Sequence, residues 1–415
     1  MGFIFMKSIN KSIKKSFGLC LISVITVNLF ALPPLKIKQN VYNEILNSSL
    51  ISKGNNYRLK NVIEKMKNGQ EVWVATLGGS ITEGIGPTNY TDGYAYQFLR
   101  LLQNQYNSEN IHLNNAGLSG TPSLLGLLRY DSDVVERFGK VPDLLIVEFA
   151  VNDDDSLENQ KAFEGIIRKA LQESPETAVI ALYSAAEYGN TRSKKEEISN
   201  YYSVPQIDVL EAVNLAFSKK KLKNHQFYTD NVHPTKEGHQ IIADCLMNLV
   251  KVVEKSDFDE QIELPENLLL TPGFDNFVRI YGDDQNVKII KGAFDDTDTN
   301  TQSLQITGKG NFPKNWFKKY GTNNESFVMK INCKNLILTY KVQGYWLPEQ
   351  FGLAEIYVDG EFFGSYDGGK KQGWNNCENL ILIDEEKPSN HVIEVKMAED
   401  NEKLAFTIVA MGYSK

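Results

Sequence analysis

Cysteine is scarce: the 415 residues hold 4. Cys20 falls in an apolar N-terminal segment, apart from Cys245, Cys333 and Cys377. That set is too small for a disulfide framework, and its spacing matches no zinc motif. A single Cys333–Cys377 bridge is the one pairing left open. Basic blocks are missing as well. After the opening stretch no cluster of Lys or Arg gathers of the kind that grips phosphate backbones, and 44 Lys+Arg against 52 Asp+Glu give a formal charge of -8, which argues against nucleic acid as a partner. Internal repeats and low-complexity tracts are absent, and 13 Pro with 30 Gly do not make a long disordered tract. Long apolar runs are missing with one exception, "FGLCLISVITVNLFAL", which follows Lys7, Lys11, Lys14 and Lys15. Charge followed by an apolar run is the order of a secretory signal, and the run is short for a membrane span. Residues 1–32 are therefore expected to be a signal peptide or N-terminal anchor, on a secreted or cell-envelope-associated protein.

What is present falls into two regimes, as a chain longer than one usual core suggests. Residues 33–57 read as a linker. Over 58–255, strand-like runs at 72–77, 111–116, 143–150 and 178–184 alternate with amphipathic helical patterns at 95–106 and 157–174, and a helix from Thr235 closes the region. That alternation predicts an α/β domain with a parallel sheet between helices. The acidic, proline-bearing stretch 256–267 reads as a second linker. From 268 to 415 the period changes to two, with short strands between turn residues, which predicts an all-β sandwich or jelly roll. Asp359-Gly360 marks a hairpin, because both central residues of a type I′ turn need positive φ.

In an open parallel sheet, ligands sit beyond the carboxyl ends of the strands. Polar residues worth noting cluster at such ends: Ser80 in "GGSITEG", Ser119 and Gly120 in "NAGLSG", Asn152 in "AVND", and Asp230 with His233 in "DNVHP" just before the closing helix. A serine hydroxyl becomes nucleophilic when an imidazole takes its proton, and a carboxylate fixes the tautomer of that imidazole. Ser80, His233 and Asp230 supply these roles. The backbone N–H groups of Ser80 and Gly120 and the side-chain amide of Asn152 are neutral donors for a tetrahedral oxyanion. Gly78 and Gly79 allow a tight turn that delivers Ser80 without Cβ clashes. This chemistry needs no metal and no cofactor.

These four blocks resemble the SGNH (GDSL-like) hydrolase family in order and placement, over roughly 58–250. The resemblance implies a flavodoxin-like three-layer α/β/α fold and ester hydrolysis or acyl transfer, with Ser80 as nucleophile, Ser80, Gly120 and Asn152 at the oxyanion hole, and Asp230 with His233 as acid and base. Gly79 stands where the common motif has aspartate, and Ala150 where the third block often has glycine. Both resemble instead a "GGSIT" variant read mostly as carbohydrate or envelope esterases. The expected activity is removal of a small acyl group, acetyl, from a carbohydrate or small ester. The rivals are an envelope polysaccharide O-acyltransferase using the same triad and a non-catalytic envelope carbohydrate-binding protein.

Other residues have plainer readings. Ser80 with Glu83 also fits a helix cap, and Asp153, Asp154 and Asp155 fit the negative start of the following helix better than a metal cage. Arg129, Asp131 and Asp133, soon after the second block, fit either the pocket lining or, preferably, a surface ion pair. Trp316, Tyr345, Trp346 and Trp374 fit either a sugar-stacking platform or, preferably, core. His239 reads as packed or bonded within the closing helix, and His112, His225 and His391 have no motif around them.

Overall fold

The computed structural model describes residues 37–282, 284–302, 312–345 and 350–415. The expected signal or anchor and Trp346 lie outside them. Within the described residues, no helix is long and apolar enough to cross a membrane.

The first domain contains β1 (Leu50–Ser52), β2 (Val72–Gly78), β3 (Ile111–Gly117), β4 (Leu144–Glu148), β5 (Ala178–Tyr183) and β6 (Gln206–Asp208). Their order is β1-β6-β5-β4-β2-β3. β2 through β6 pair in parallel, and β1 joins β6 antiparallel at the edge. Taken over the parallel strands this is the flavodoxin-like order, with its switch point where β2 lies between β3 and β4. "VWVATLG" and "LLIVE" are nearly all apolar because helices cover both faces of these central strands.

Period-two alternation sends Val72, Val74, Leu144, Ile146, Ile180 and Leu182 to one face. There they meet α1 (Gln39–Ser48), α2 (Tyr57–Lys67), α4 (Tyr94–Tyr106), α8 (Val209–Ser218) and α10 (Lys236–Lys255). Between α2 and α4 lies a single turn, α3 (Ser80–Glu83). Ala75, Leu77, Leu145, Val147, Val179 and Ala181 face the other way, toward α5 (Ser123–Leu128), α6 (Leu157–Glu173) and α7 (Glu196–Tyr201). A last short helix, α9 (Asn224–Phe227), precedes α10.

Over its described residues, 37–57, the first expected linker differs from that reading. α1 buries Tyr42, Ile45 and Leu46, Tyr42 donates to Asp244 at 2.5 Å, and β1 extends the sheet. The apolar positions of "QNVYNEILNS" repeat at helical spacing, but the segment is too short and polar to stand out without α8 and α10 as partners. The stretch 256–267 also runs tied along the first domain: Asn56 donates to the Asp257 carbonyl and Arg168 to the Pro265 and Glu266 carbonyls.

The second domain is an antiparallel sandwich of β7 (Val278–Arg279), β8 (Val287–Ile290), β9 (Trp316–Lys318), β10 (Phe327–Val342), β11 (Leu353–Val358), β12 (Glu361–Asp367), β13 (Asn376–Met397) and β14 (Phe406–Ser414). Asp359 and Gly360 carry φ of 53° and 88°, joining β11 to β12 by the expected hairpin. β10 and β13 are paired along most of their length, with register shifts near Cys333 and Leu336. Before the shifts β10 alternates buried with more exposed positions; after them it is buried on both faces. The reason is tertiary: Ile337, Cys377, Val409 and Ala410 pack into the same cluster as Leu125, Leu128 and Phe163 of α5 and α6. The two domains share a core there. Cys333 and Cys377 do not bridge; they sit opposite Ser389 and Lys341, at different points of the β10–β13 ladder, and both are free and buried.

Candidate active site

The sharp turn after β2 depends on close approach. A Cβ on Gly78 would meet Thr82 Oγ1 at 2.2 Å and the Glu148 carbonyl at 2.4 Å; one on Gly79 would lie 1.8 Å from Asn152 Oδ1. Neither glycine has positive φ, so the requirement is space and not left-handed backbone. Asn152, in the turn beyond β4, occupies the volume that a side chain at position 79 would fill. Gly79 is the N-cap of α3 and Ser80 its first residue, without a side-chain cap bond. Ser80 therefore does not act as a cap.

Its hydroxyl, on a residue only 6% exposed, lies 3.0 Å from His233 Nε2. On the other side of the ring, His233 Nδ1 is 2.8 Å from Asp230 Oδ2, while Asp230 Oδ1 accepts the backbone N–H groups of Val232 and His233 at 2.8 Å each. Partial burial raises the Asp230 carboxyl, but bonds from the His233 ring and these two backbone donors outweigh it and hold the group below the usual carboxylate range. A carboxylate that stays ionised fixes Nδ1–H on the imidazole and leaves Nε2 to accept from Ser80. The structure thus brings Ser80, Asp230 and His233 together across 153 positions of chain.

The turn after β3 carries Ser119 and Gly120, the latter with φ of 67°. Buried Glu83, from "GGSITEG", holds this turn: its Oε2 accepts the Ser119 N–H at 2.9 Å and the Ser119 hydroxyl at 2.5 Å. The capping role expected of Glu83 gives way to this bond. Arg129 is another departure. It is fully buried, donating to the Gly78 carbonyl at 2.8 Å, the Ala116 carbonyl at 2.6 Å and Asp133 at 3.1 Å. It staples the ends of β2 and β3 and is no surface ion pair.

Behind the turn after β2 sits Glu148, fully buried at the end of β4, which accepts from Thr82 Oγ1 at 2.9 Å. Burial pushes its carboxyl up to about 7, although the Thr82 and Gly79 donors pull it down. Asp153 does not begin α6. It accepts the Ser123 N–H and hydroxyl at 2.7 and 2.6 Å and pairs with buried Lys195 at 3.0 Å. Asp154 does serve the start of α6, accepting from the Ser156 N–H and the Asn159 amide. Among the described residues no group of three or more His, Cys, Asp or Glu could hold a metal. His239 is packed against the Tyr94 ring, and its side-chain bonds leave its own helix: Nδ1 accepts the Tyr94 N–H and Nε2 donates to the Ile85 carbonyl, and burial lowers its pKa to about 4.

The second domain reaches this rim. Trp316 is core, but Trp374 is 48% exposed and Tyr345 67%. The Trp374 ring lies against Gly120, 3.0 Å from where a Cβ there would be. Sequence patterning cannot find this placement, because it depends on how the sandwich docks on α5 and α6.

Residues 76–241 match the model of the GDSL-like Lipase/Acylhydrolase family. No curated protein matches the chain. Among solved structures, the crystal structure of a two-domain esterase active on acetylated mannans is similar over 89% of this chain and 99% of its own, with TM-score 0.75 at 23% identity. The same esterase co-crystallized with mannopentaose is similar over 89% and 98%, with TM-score 0.74 at 22% identity. The lipase/acylhydrolase from Enterococcus faecalis aligns over 46% of this chain and 99% of its own, with TM-score 0.35 at 19% identity.

Proposed function

From the match of residues 76–241 to the GDSL-like lipase/acylhydrolase family model, we propose that this enzyme is a serine esterase removing small acyl groups, acetyl foremost, from carbohydrate through an acyl-enzyme. The observation that carries the reading is the unbroken relay from Ser80 Oγ to His233 Nε2 and from His233 Nδ1 to Asp230. His233 takes the Ser80 proton as the hydroxyl adds to the ester carbonyl. The tetrahedral oxyanion is held by the N–H groups of Ser80 and Gly120 and the Asn152 amide. His233 then returns the proton to the departing sugar hydroxyl, leaving an acetyl ester on Ser80, and water assisted by the same imidazole releases acetate.

Carbohydrate is favoured by two observations. Trp374 and Tyr345 present exposed aromatic faces, with Trp374 beside the oxyanion turn, and amphipathic rings suit pyranose faces. The two-domain fold is also similar to that of an esterase active on acetylated mannans. Export fits a polymeric substrate, and the lysine-then-apolar order of the N-terminus supports it.

The test is acetate release from acetylated polysaccharides by the full chain, with and without a free sugar acceptor, and by Ser80→Ala. Hydrolysis that Ser80→Ala abolishes at an unchanged thermal transition supports the reading. Transfer of acetyl to the acceptor in place of release identifies an acyltransferase, and turnover that survives Ser80→Ala removes the serine mechanism.

A further inference from the structure

Ser119 is held from both domains. On the first-domain side, Glu83 Oε2 takes the N–H and hydroxyl of Ser119. On the second-domain side, Gln302 Nε2 donates to the Ser119 carbonyl at 2.5 Å. Gln302 is 5% exposed, and its Oε1 has no hydrogen-bond partner among the described residues. A carbonyl only accepts, so the amide must turn its nitrogen to Ser119; the unpaired oxygen is the consequence.

That carbonyl and the Gly120 N–H belong to one peptide unit. Because the unit is planar and trans, C=O and N–H point in opposite directions. Fixing the carbonyl toward Gln302 therefore fixes where the N–H points. A donor on the oxygen also polarises the unit and strengthens its N–H as a donor. Glycine at 120 has no Cβ to restrain its φ of 67°, so the peptide depends on outside contacts for its orientation.

The segment carrying Gln302 is anchored in the sandwich. Asp298 pairs with buried Lys341 of β10 at 2.6 Å and accepts Thr407 of β14 at 2.7 Å. Lys341 also donates to the Asn300 carbonyl at 3.1 Å, and the Asn375 amide, next to Trp374, donates to Asn300 Oδ1.

We infer that Gln302 is a positioning residue of the oxyanion hole, by which the second domain aims the Gly120 N–H at the reacting carbonyl oxygen. This rests on the serine-esterase reading above. The second domain is then part of the catalytic apparatus and more than a substrate-holding appendage, and the hole of the first domain is incomplete without it.

The experiment compares the full chain with Gln302→Leu, which keeps the bulk and loses the donor, and Gln302→Asn, which keeps the amide but falls short by one methylene. The readouts are kcat and KM on 4-nitrophenyl acetate, the rate of inactivation by a serine-directed phosphonate, and the thermal transition. Both variants are expected to lose about 10- to 100-fold in kcat, the range for a catalytic group displaced by a fraction of an ångström to an ångström. KM stays within a small factor, and phosphonate inactivation slows in parallel because its charged oxygen uses the same hole. A merely structural role lowers the transition and leaves kcat of the folded fraction intact; that result overturns the inference. Should Gln302→Leu fail to fold, Gln302→Asn decides alone. Ser80→Ala separates the two levels: turnover that does not need Ser80 overturns the functional reading and this inference with it, whereas Ser80-dependent turnover with unchanged kcat in the Gln302 variants overturns this inference only.

Discussion

Gly79 and Asn152 compete for one volume, which gives the departure from the common aspartate a physical meaning. With no side chain at 79, the Asn152 amide enters beside the turn that carries Ser80; a Cβ there would overlap Oδ1 at 1.8 Å. Gly79→Ala must push Asn152 aside. Both Gly79→Ala and Asn152→Ala are expected to lower kcat on the order of 10²-fold, as removal of one oxyanion donor does. Steady-state kinetics alongside thermal melting checks this, and an Asn152→Ala variant that loses stability in place of kcat would make Asn152 an ordinary turn residue. Glu148 makes a different statement at the same scale. Its folded pKa of about 7 exceeds the ordinary 4.5, so the native state keeps a proton that the unfolded chain loses. Its contribution to stability is thus fully present below about pH 4.5, falls as pH rises through the window to about 7, and stays low above it. Glu148→Gln is neutral throughout. The melting temperature of the variant relative to the parent should therefore climb between pH 5 and pH 8, and a difference independent of pH would show that Glu148 is not held protonated.

Elements are positioned here by a few buried polar side chains as much as by apolar packing. Arg129 joins the last turns of β2 and β3, the two strands that deliver Ser80 and Gly120, through the Gly78 and Ala116 carbonyls. Removing one member of a buried charge pair strands the other, so Arg129→Met leaves Asp133 without its buried partner and takes one donor from each of the Gly78 and Ala116 carbonyls. The expected cost is about 3–5 kcal/mol, read as a lower urea midpoint at unchanged m-value. A change under about 1 kcal/mol would mean that Arg137, 3.5 Å from the other Asp133 oxygen, takes over the pair. Asp153 with Lys195 performs a similar task for α5, and Glu83 for the turn after β3.

At the scale of the whole molecule, the sandwich and the α/β domain are not two beads on a string. Ile337, Val409 and Ala410 lie in one cluster with α5 and α6, so cutting the chain near residue 262 would expose that face. Point substitutions are the better probe of what the second domain contributes. Trp374→Ala should raise KM on an acetylated polysaccharide about 10-fold, equivalent to about 1.4 kcal/mol of lost ring contact, while a small acetyl ester is turned over nearly as before. Equal losses on both substrates would assign Trp374 to supporting Gly120 and not to binding sugar.

Read alone, the residues determined the strand–helix alternation, the change to period two beyond the acidic stretch, and the four polar blocks whose side chains meet at the sheet rim. Each is a local pattern, set by apolar spacing and by residue chemistry at strand ends, which is why β2 to β5 and the Ser80–His233–Asp230 relay are legible there. Tertiary structure alone decided the rest. α1 and β1 are too short to declare themselves without α8, α10 and β6 to pack on; Arg129 looks like a surface charge until two strand ends enclose it; Trp374 and Gln302 stand at the active-site rim only because the sandwich docks on α5 and α6. A contact between segments nearly two hundred positions apart leaves no periodicity in the chain, since its free energy comes from surfaces that exist only once both domains have folded.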